Sequence, residues 1–171
     1  DSLMHRMNVE HIVQSWDTAT TAGETSDWSV CTTWYCVSGK LYLVDVHRAK
    51  YEFPQLGTKI FEMAARFRAT NVAFEACGAG QALFLQVRNQ ILNMRDRPFV
   101  LSCWQPKHDK ATRLMSQTSE IEAGRVYLPR DAVWLEEFRR ELLNFPNGVH
   151  DDQVDSLTQF LKWDESCYRY R

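Results

Sequence analysis

Partway along the chain the spacing of apolar residues switches from the alternation of a strand to the periodicity of a helix, and this switch restricts the architecture most. His11-Ile-Val-Gln-Ser-Trp16 alternates apolar with polar residues and runs into Asp17, followed by a loop of Thr18, Ala19, Thr20, Thr21, Ala22 and Gly23. Trp28 to Val37 is rich in Val, Thr, Trp and Tyr, and Ser38-Gly39 turns the chain into Leu41-Tyr-Leu-Val-Asp-Val46, which predicts a β-hairpin. After Pro54 the residues Leu56, Ile60, Ala64 and Phe67 fall at helical spacing, and Asn71-Val-Ala-Phe-Glu75 reads as a buried strand. The alternation continues with a helix over Gln81 to Leu92, a strand over Pro98 to Ser102, a helix over Ala111 to Glu122 and an extended Arg125 to Pro129. A helix over Trp134 to Leu143 follows, and a last one begins near Asp151 and carries Val154, Leu157 and Leu161. Three antiparallel strands followed by helices and strands in turn predict an α/β domain with a mixed sheet and helices on both faces.

A chain of 171 residues, 44% hydrophobic and 25% charged, is sized and composed for one core. No apolar run approaches the roughly 20 residues that span a bilayer, and the stretch Asp1 to Val13 is polar overall, unlike a secretory signal, so neither a membrane nor an export role is predicted. The net charge of −2 argues against coating nucleic acid by bulk basicity and leaves local contacts open. Five cysteines without a CxxC pair signal neither a disulfide framework nor a zinc site, and fit a reducing cytoplasm. The sequence opens on Asp1 and holds no phosphate loop of the G-x-x-x-x-G-K-[ST] type, so a piece of a longer protein is expected.

Acidic residues fall where this architecture brings distant segments together. Asp17 ends the first strand, Glu75 ends the first crossover strand, and Asp152 and Asp155 open the last helix. Groups at the carboxyl ends of neighbouring strands, roughly 4.8 Å apart, share one crevice. Asp152 and Asp155, three apart, point to one side of their helix, while Val154, Leu157 and Leu161 are expected to turn largely the other way into the core. Four carboxylates so close would repel one another unless a cation neutralised them, and an all-oxygen donor set suits Mg²⁺ or Mn²⁺. Two such ions could serve phosphodiester hydrolysis. Turn and cap roles explain each acidic residue singly; only the combination points to chemistry.

The series Trp16-Asp17-Thr18-Ala19, Leu43-Val-Asp-Val-His-Arg48, Val72-Ala-Phe-Glu75 with Gly78 and Gly80, Gly124-Arg-Val-Tyr-Leu-Pro129, and Phe145-Pro-Asn-Gly-Val-His-Asp-Asp-Gln-Val-Asp155 resembles the C-terminal nuclease domain of the large terminase subunit of tailed bacteriophages and prophages. The resemblance spans residues 11–163, leaving 1–10 as a lead or linker and 164–171 as a tail. It implies a ribonuclease H-like fold and a divalent-metal-dependent DNA endonuclease that binds two ions of Mg²⁺ or Mn²⁺ and cuts concatemeric viral double-stranded DNA during genome packaging. Asp17 matches the family's first-strand aspartate and Glu75 its second acidic ligand. The third position falls within Asp151-Asp152-Gln-Val-Asp155, where an Asp-x-x-Asp pair like that of the related Holliday-junction resolvases would be Asp152 and Asp155, with Asp151 left as a helix cap. Asp17, Glu75, Asp152 and Asp155 are thus the expected catalytic metal ligands. The implied partners are double-stranded DNA and, in the parent protein, an N-terminal ATPase domain, the small terminase subunit and the portal, all in the cytoplasm of a bacterial host. The alternatives are another ribonuclease H-like enzyme, of the junction-resolvase or transposase type, or a non-catalytic domain of this fold that binds DNA or protein.

Other residues divide between roles. Lys107-His-Asp-Lys110 with Arg113 resembles a family segment near the DNA path, and a solvated helix start accounts for the same residues. Arg66, Arg68, Arg88, Arg95 and Arg97 read as scattered surface charge. His150 could orient a carboxylate or the attacking water, or could simply cap or pack. Asp27 is an auxiliary ligand or a turn residue, and Asp45 with Arg48 reads as an ion pair. Gly78 and Gly80 fit a tight turn after Glu75 better than a phosphate cradle. The six tryptophans fit core packing better than a base-stacking platform.

Overall fold

The computed structural model describes residues 8–19, 28–75 and 78–168. Among the described residues six strands form one sheet: β1 (His11–Asp17), β2 (Ser29–Val37), β3 (Lys40–Ala49), β4 (Asn71–Glu75), β5 (Val100–Trp104) and β6 (Val126–Tyr127). Five helices cover it: α1 (Phe53–Phe67), α2 (Gly78–Leu92), α3 (Lys110–Glu122), α4 (Leu135–Asn144) and α5 (Asp152–Tyr168). The strand order is β5-β4-β1-β2-β3-β6. The pairs β1–β2 and β2–β3 are antiparallel, whereas β1–β4, β4–β5 and β3–β6 are parallel. This is the mixed sheet expected from the switch in periodicity.

The hydrophobic residues of the alternating strands divide between two faces. On one, Leu56, Ile60 and Met63 of α1 and Leu83, Val87 and Ile91 of α2 pack on Trp16, Val72 and Phe74. On the other, Phe138 of α4 and Leu157, Phe160 and Leu161 of α5 pack on Val13, Val30, Trp34 and Leu41. Trp34 stacks on Phe160 with ring centroids 4.3 Å apart. Trp16, Trp34 and Trp163 are buried, as expected of core tryptophans.

Several boundaries move for local reasons. The fifth strand begins at Val100 rather than Pro98, because proline has no amide to donate and the first ladder bond runs from Val100 N to Thr70 O at 2.8 Å. The third strand continues past Val46 to Ala49 because β2 pairs with it along its whole length, up to Ser29 with Ala49. The second helix starts at Gly78 instead of Gln81. Of the extended Arg125 to Pro129, only Val126 and Tyr127 join the sheet.

Arg48 is not the partner of Asp45. It crosses to Glu137 of α4 and lies over the Trp28 ring, while the cations that act on Asp45 are Arg66 and His47. The pairing was not visible in sequence because Glu137 lies 89 residues away. Cys31, Cys36, Cys103 and Cys167 are free thiols. Among the described residues no helix is long and apolar enough to cross a membrane.

Candidate active site

The parallel pairing of β1 with β4 aligns Trp16 with Phe74, so Asp17 and Glu75 follow side by side at the carboxyl ends of adjacent strands. The start of α2 packs tightly on the end of β4: a Cβ on Gly80 would lie 2.3 Å from the Glu75 carbonyl oxygen, so only glycine fits, and Gly78 has φ +50°. Both glycines lie in the first turn of α2, and the residues between Glu75 and Gly78, where a tight turn was expected, lie outside the described residues.

Helix α5 delivers the other carboxyls. Asp152 and Asp155, 7% and 4% exposed, lie in its first turn. They do not form a solvated face opposite a packed one. Gln153 to Leu161 is buried throughout, because α5 rests on β1, β2 and β4 while α3 and α4 cover its outer side.

A polar clamp fixes α5 to the strand ends. Gln159 Nε2 donates to Ser15 Oγ (2.8 Å), Ala73 O (3.1 Å) and Trp16 O (3.3 Å). Ser156 Oγ donates to Ser15 O at 2.8 Å and lies 2.8 Å from Thr32 Oγ1, while Ser15 Oγ donates to Ser156 O, also at 2.8 Å. Glu141 of α4 accepts from Gln153 N and Nε2, each at 2.6 Å, and so caps the start of α5 from outside. With Asp152 and Asp155, Ser156 and Gln159 form a polar stripe at helical spacing. That signal is present in the sequence, but it identifies the residues without revealing that β1 and β4 receive them.

The electrostatics record the convergence. The Asp17 carboxyl titrates well above its ordinary value, first because it is buried and then because Asp155, Asp152 and Glu75 repel its charge; Lys110 opposes them. Asp155, Asp152 and Glu75 thus all act on Asp17.

Two cations of α3 enter this cluster. Asp109 caps α3, accepting from Thr112 N at 3.0 Å, which sets Lys110 and Arg113 on its first turns. Arg113 reaches Asp155 Oδ1 at 2.6 Å and Glu75 Oε1 at 3.4 Å. Lys110 Nζ lies 2.6 Å from Asp155 Oδ2 and 2.7 Å from Asp151 Oδ1. Arg113, 7% exposed, is thus no solvated helix-start residue, and it lies 5.7 Å from the Trp104 ring. Asp151 pairs with Lys110 through its side chain while its carbonyl accepts from Asp155 N. Burial works against the Lys110 charge, but its bonds to Asp151 and Asp155 prevail and hold it cationic. Burial also pushes the Asp155 carboxyl up against the pull of Lys110 and Arg113; the two contacts at 2.6 Å mark it as the ion-paired partner. One clue to the role of α3 was legible: cations at a helix N-terminus oppose the helix dipole, so they need acidic partners elsewhere.

His150 is exposed and lines a groove with Arg48, Glu137 and Glu141. Asp27 lies outside the described residues. The donor chemistry of the four carboxyls fits a hard divalent cation, since each gains from neutralising the others' repulsion. Among the described residues, however, no three acidic, histidine or cysteine side chains are already arranged around a single ion position. Lys110 and Arg113 hold both Asp155 oxygens.

A mixed sheet with three antiparallel leading strands and parallel strands added at both edges, helices on both faces, and acidic residues at the ends of β1, β4 and the start of α5, defines a ribonuclease H-like domain. The chain belongs to the family described as the terminase RNaseH-like domain, whose profile matches residues 14–162. Its fold is similar to the nuclease domain of the large terminase subunit gp2 of bacterial virus Sf6, with 9% identity over 90% of this chain and 88% of that one and a TM-score of 0.69. The Mn-soaked human cytomegalovirus terminase nuclease domain is similar at 9% identity, covering 94% and 86% of the two chains, with a TM-score of 0.59. The fowlpox virus resolvase, solved with substrate Holliday junction DNA, is similar at 12% identity over 92% of this chain and 99% of that one, with a TM-score of 0.60. Among curated proteins nothing matches significantly.

Proposed function

We propose that this domain is a divalent-metal-dependent DNA endonuclease, the cutting part of a large terminase subunit. The carrying observation is that acidic residues of three separate elements meet: Asp17 and Glu75 end adjacent strands, and Arg113 ties Glu75 to Asp155 of α5. Asp17, Glu75, Asp152 and Asp155 would hold Mg²⁺ or Mn²⁺, two ions by the number of carboxyls. When bound, such ions activate a water and stabilise the leaving oxygen of a phosphodiester. The Mn-soaked cytomegalovirus domain supports this choice of cation.

The chain's own residues prepare the site. Arg113 spans Glu75 and Asp155 and keeps the two carboxyls turned toward one another. The Gln159 and Ser156 clamp keeps α5 in register with β1 and β4. Burial and the neighbouring carboxyls raise the Asp17 carboxyl above its ordinary value, so a cation held there would offset their repulsion. Lys107 and His108, exposed ahead of α3, are placed to meet a phosphate backbone. In the parent protein the substrate would be concatemeric viral duplex DNA, cut in the bacterial cytoplasm beside an ATPase domain, the small subunit and the portal. No covalent enzyme intermediate is required.

The test is cleavage of supercoiled plasmid with Mn²⁺. Asp17→Asn should abolish cutting and leave the circular dichroism unchanged; equal cutting by both proteins discards the assignment. The likeness to the fowlpox resolvase favours one second reading, cleavage of four-way junctions. Preference for a junction over linear duplex of the same sequence would select it.

A further inference from the structure

Three carboxyls, Glu75, Asp151 and Asp155, contact two basic side chains of α3, and Asp17 lies within the field of Asp152, Asp155, Glu75 and Lys110. The basic groups are not at the rim. Arg113 is buried and bridges the β4 carboxyl to the α5 carboxyl, whereas Lys110, 46% exposed, bridges Asp151 and Asp155 from the solvent side. Between them they take both oxygens of Asp155. The arginine is incompletely satisfied, because its buried Nε has no hydrogen-bond partner among the described residues. Its attachment here runs through its two terminal nitrogens, which donate to Glu75 and Asp155, with the Trp104 ring alongside.

A divalent ion placed among these carboxyls would sit within a few ångströms of both cations, and like charges at that range repel by several kcal/mol even at the effective dielectric of a protein site. The ion and the α3 side chains compete for the same oxygens. Rigid removal of Arg113 is opposed by its burial, whereas Lys110 can swing into water without disturbing the core.

We propose that Lys110 and Arg113 act as an internal competitor for the divalent cation, holding the carboxyl cluster together without it and setting the cation concentration at which the site loads. This rests on the metal reading of the site. In the loaded state Lys110 leaves Asp155, and its ammonium becomes available at the mouth of the site.

The test is calorimetric titration of the full chain with MnCl₂ alone, with thermal unfolding in the presence of a chelator measured alongside. Lys110→Gln should bind Mn²⁺ at least about tenfold more tightly than the unaltered chain while melting lower without metal, and saturating Mn²⁺ should close most of the melting gap. Arg113→Gln should shift both quantities in the same direction, and more strongly. If the buried substitution prevents folding, the half-exposed Lys110→Gln decides alone. Mn²⁺ binding of equal or weaker affinity in Lys110→Gln overturns the competitor and leaves the metal site standing. No binding by the unaltered chain or either variant overturns the metal site itself. A purely structural role for Lys110 would lower the melting temperature without tightening Mn²⁺.

Discussion

Replacing Gln159 with leucine tests whether α5 is fixed to the sheet by a directional polar clamp or only by its apolar neighbours. The Nε2 group has two hydrogens to share among Ser15 Oγ, Ala73 O and Trp16 O, so the side chain contributes about two hydrogen bonds in spite of three contacts. Each is worth about 1 kcal/mol net, and buried acceptors stripped of a partner add about 1–3 kcal/mol. Against this, Gln159 Oε1 is itself buried without a hydrogen-bond partner, so leucine of similar size removes one orphaned atom. The balance is a loss of about 2–3 kcal/mol. For a chain of this length that corresponds to a fall in melting temperature of roughly 4–12 °C. Differential scanning calorimetry with a chelator present reads it directly. Gln159→Glu should lose more, because it deletes the donors and adds a fifth negative side chain to the four that already repel one another. A leucine variant that melts within about 2 °C of the unaltered protein would refute the clamp, and with it the claim that the register of Asp155 against Asp17 is set by hydrogen bonding.

Two further perturbations probe the cluster. Because Asp17 titrates above its unfolded value, the native chain holds a proton that the unfolded chain releases. Without metal, stability should therefore fall as pH rises from about 4 through the raised native value and then level off. Melting curves across pH should show this slope, diminished in Asp17→Asn, with Asp45 and Asp164, also raised by burial, supplying part of what remains. Gly80→Ala places a methyl group 2.3 Å from the Glu75 carbonyl oxygen, a backbone atom that cannot swing aside; unfolding in urea should show a loss of about 1–3 kcal/mol. A loss under 0.5 kcal/mol would mean that the start of α2 relaxes freely.

The fold was legible because its elements announce themselves locally. Leu56, Ile60 and Ala64 lie at helical spacing in α1 and all three are buried, and the alternation of His11 to Trp16 became a strand that packs on both sides. What local pattern could not show is pairing between distant residues. Arg48 finds Glu137 rather than the nearby Asp45, and Gln153 finds Glu141 across the gap between two helices. Hydrophobic periodicity identifies a helix face but is silent about which polar groups the neighbouring element presents to it. For the same reason α5 looked amphipathic in sequence while being covered on both sides: Ser156 and Gln159 are polar because their partners are buried, not because the face meets water.

The acidic residues were found in sequence because each ends or begins an element, and the ends of elements are fixed by local signals. The cations facing them were harder, since Lys110 and Arg113 also satisfy an ordinary reading as a solvated helix start. The deciding physical point is the sign of the charge. Acidic residues in the first turn of α5 are stabilised by the helix dipole whether or not they bind anything, so they carry little information singly. Basic residues at the start of α3 are disfavoured by the same dipole, and Asp109 as cap offsets only part of this. A sequence that retains them there implies an external negative charge strong enough to reverse the local preference. In the folded chain that charge is Asp155 with Asp151 and Glu75. The locally unfavourable cation is thus a better marker of this cluster than the locally favourable aspartates.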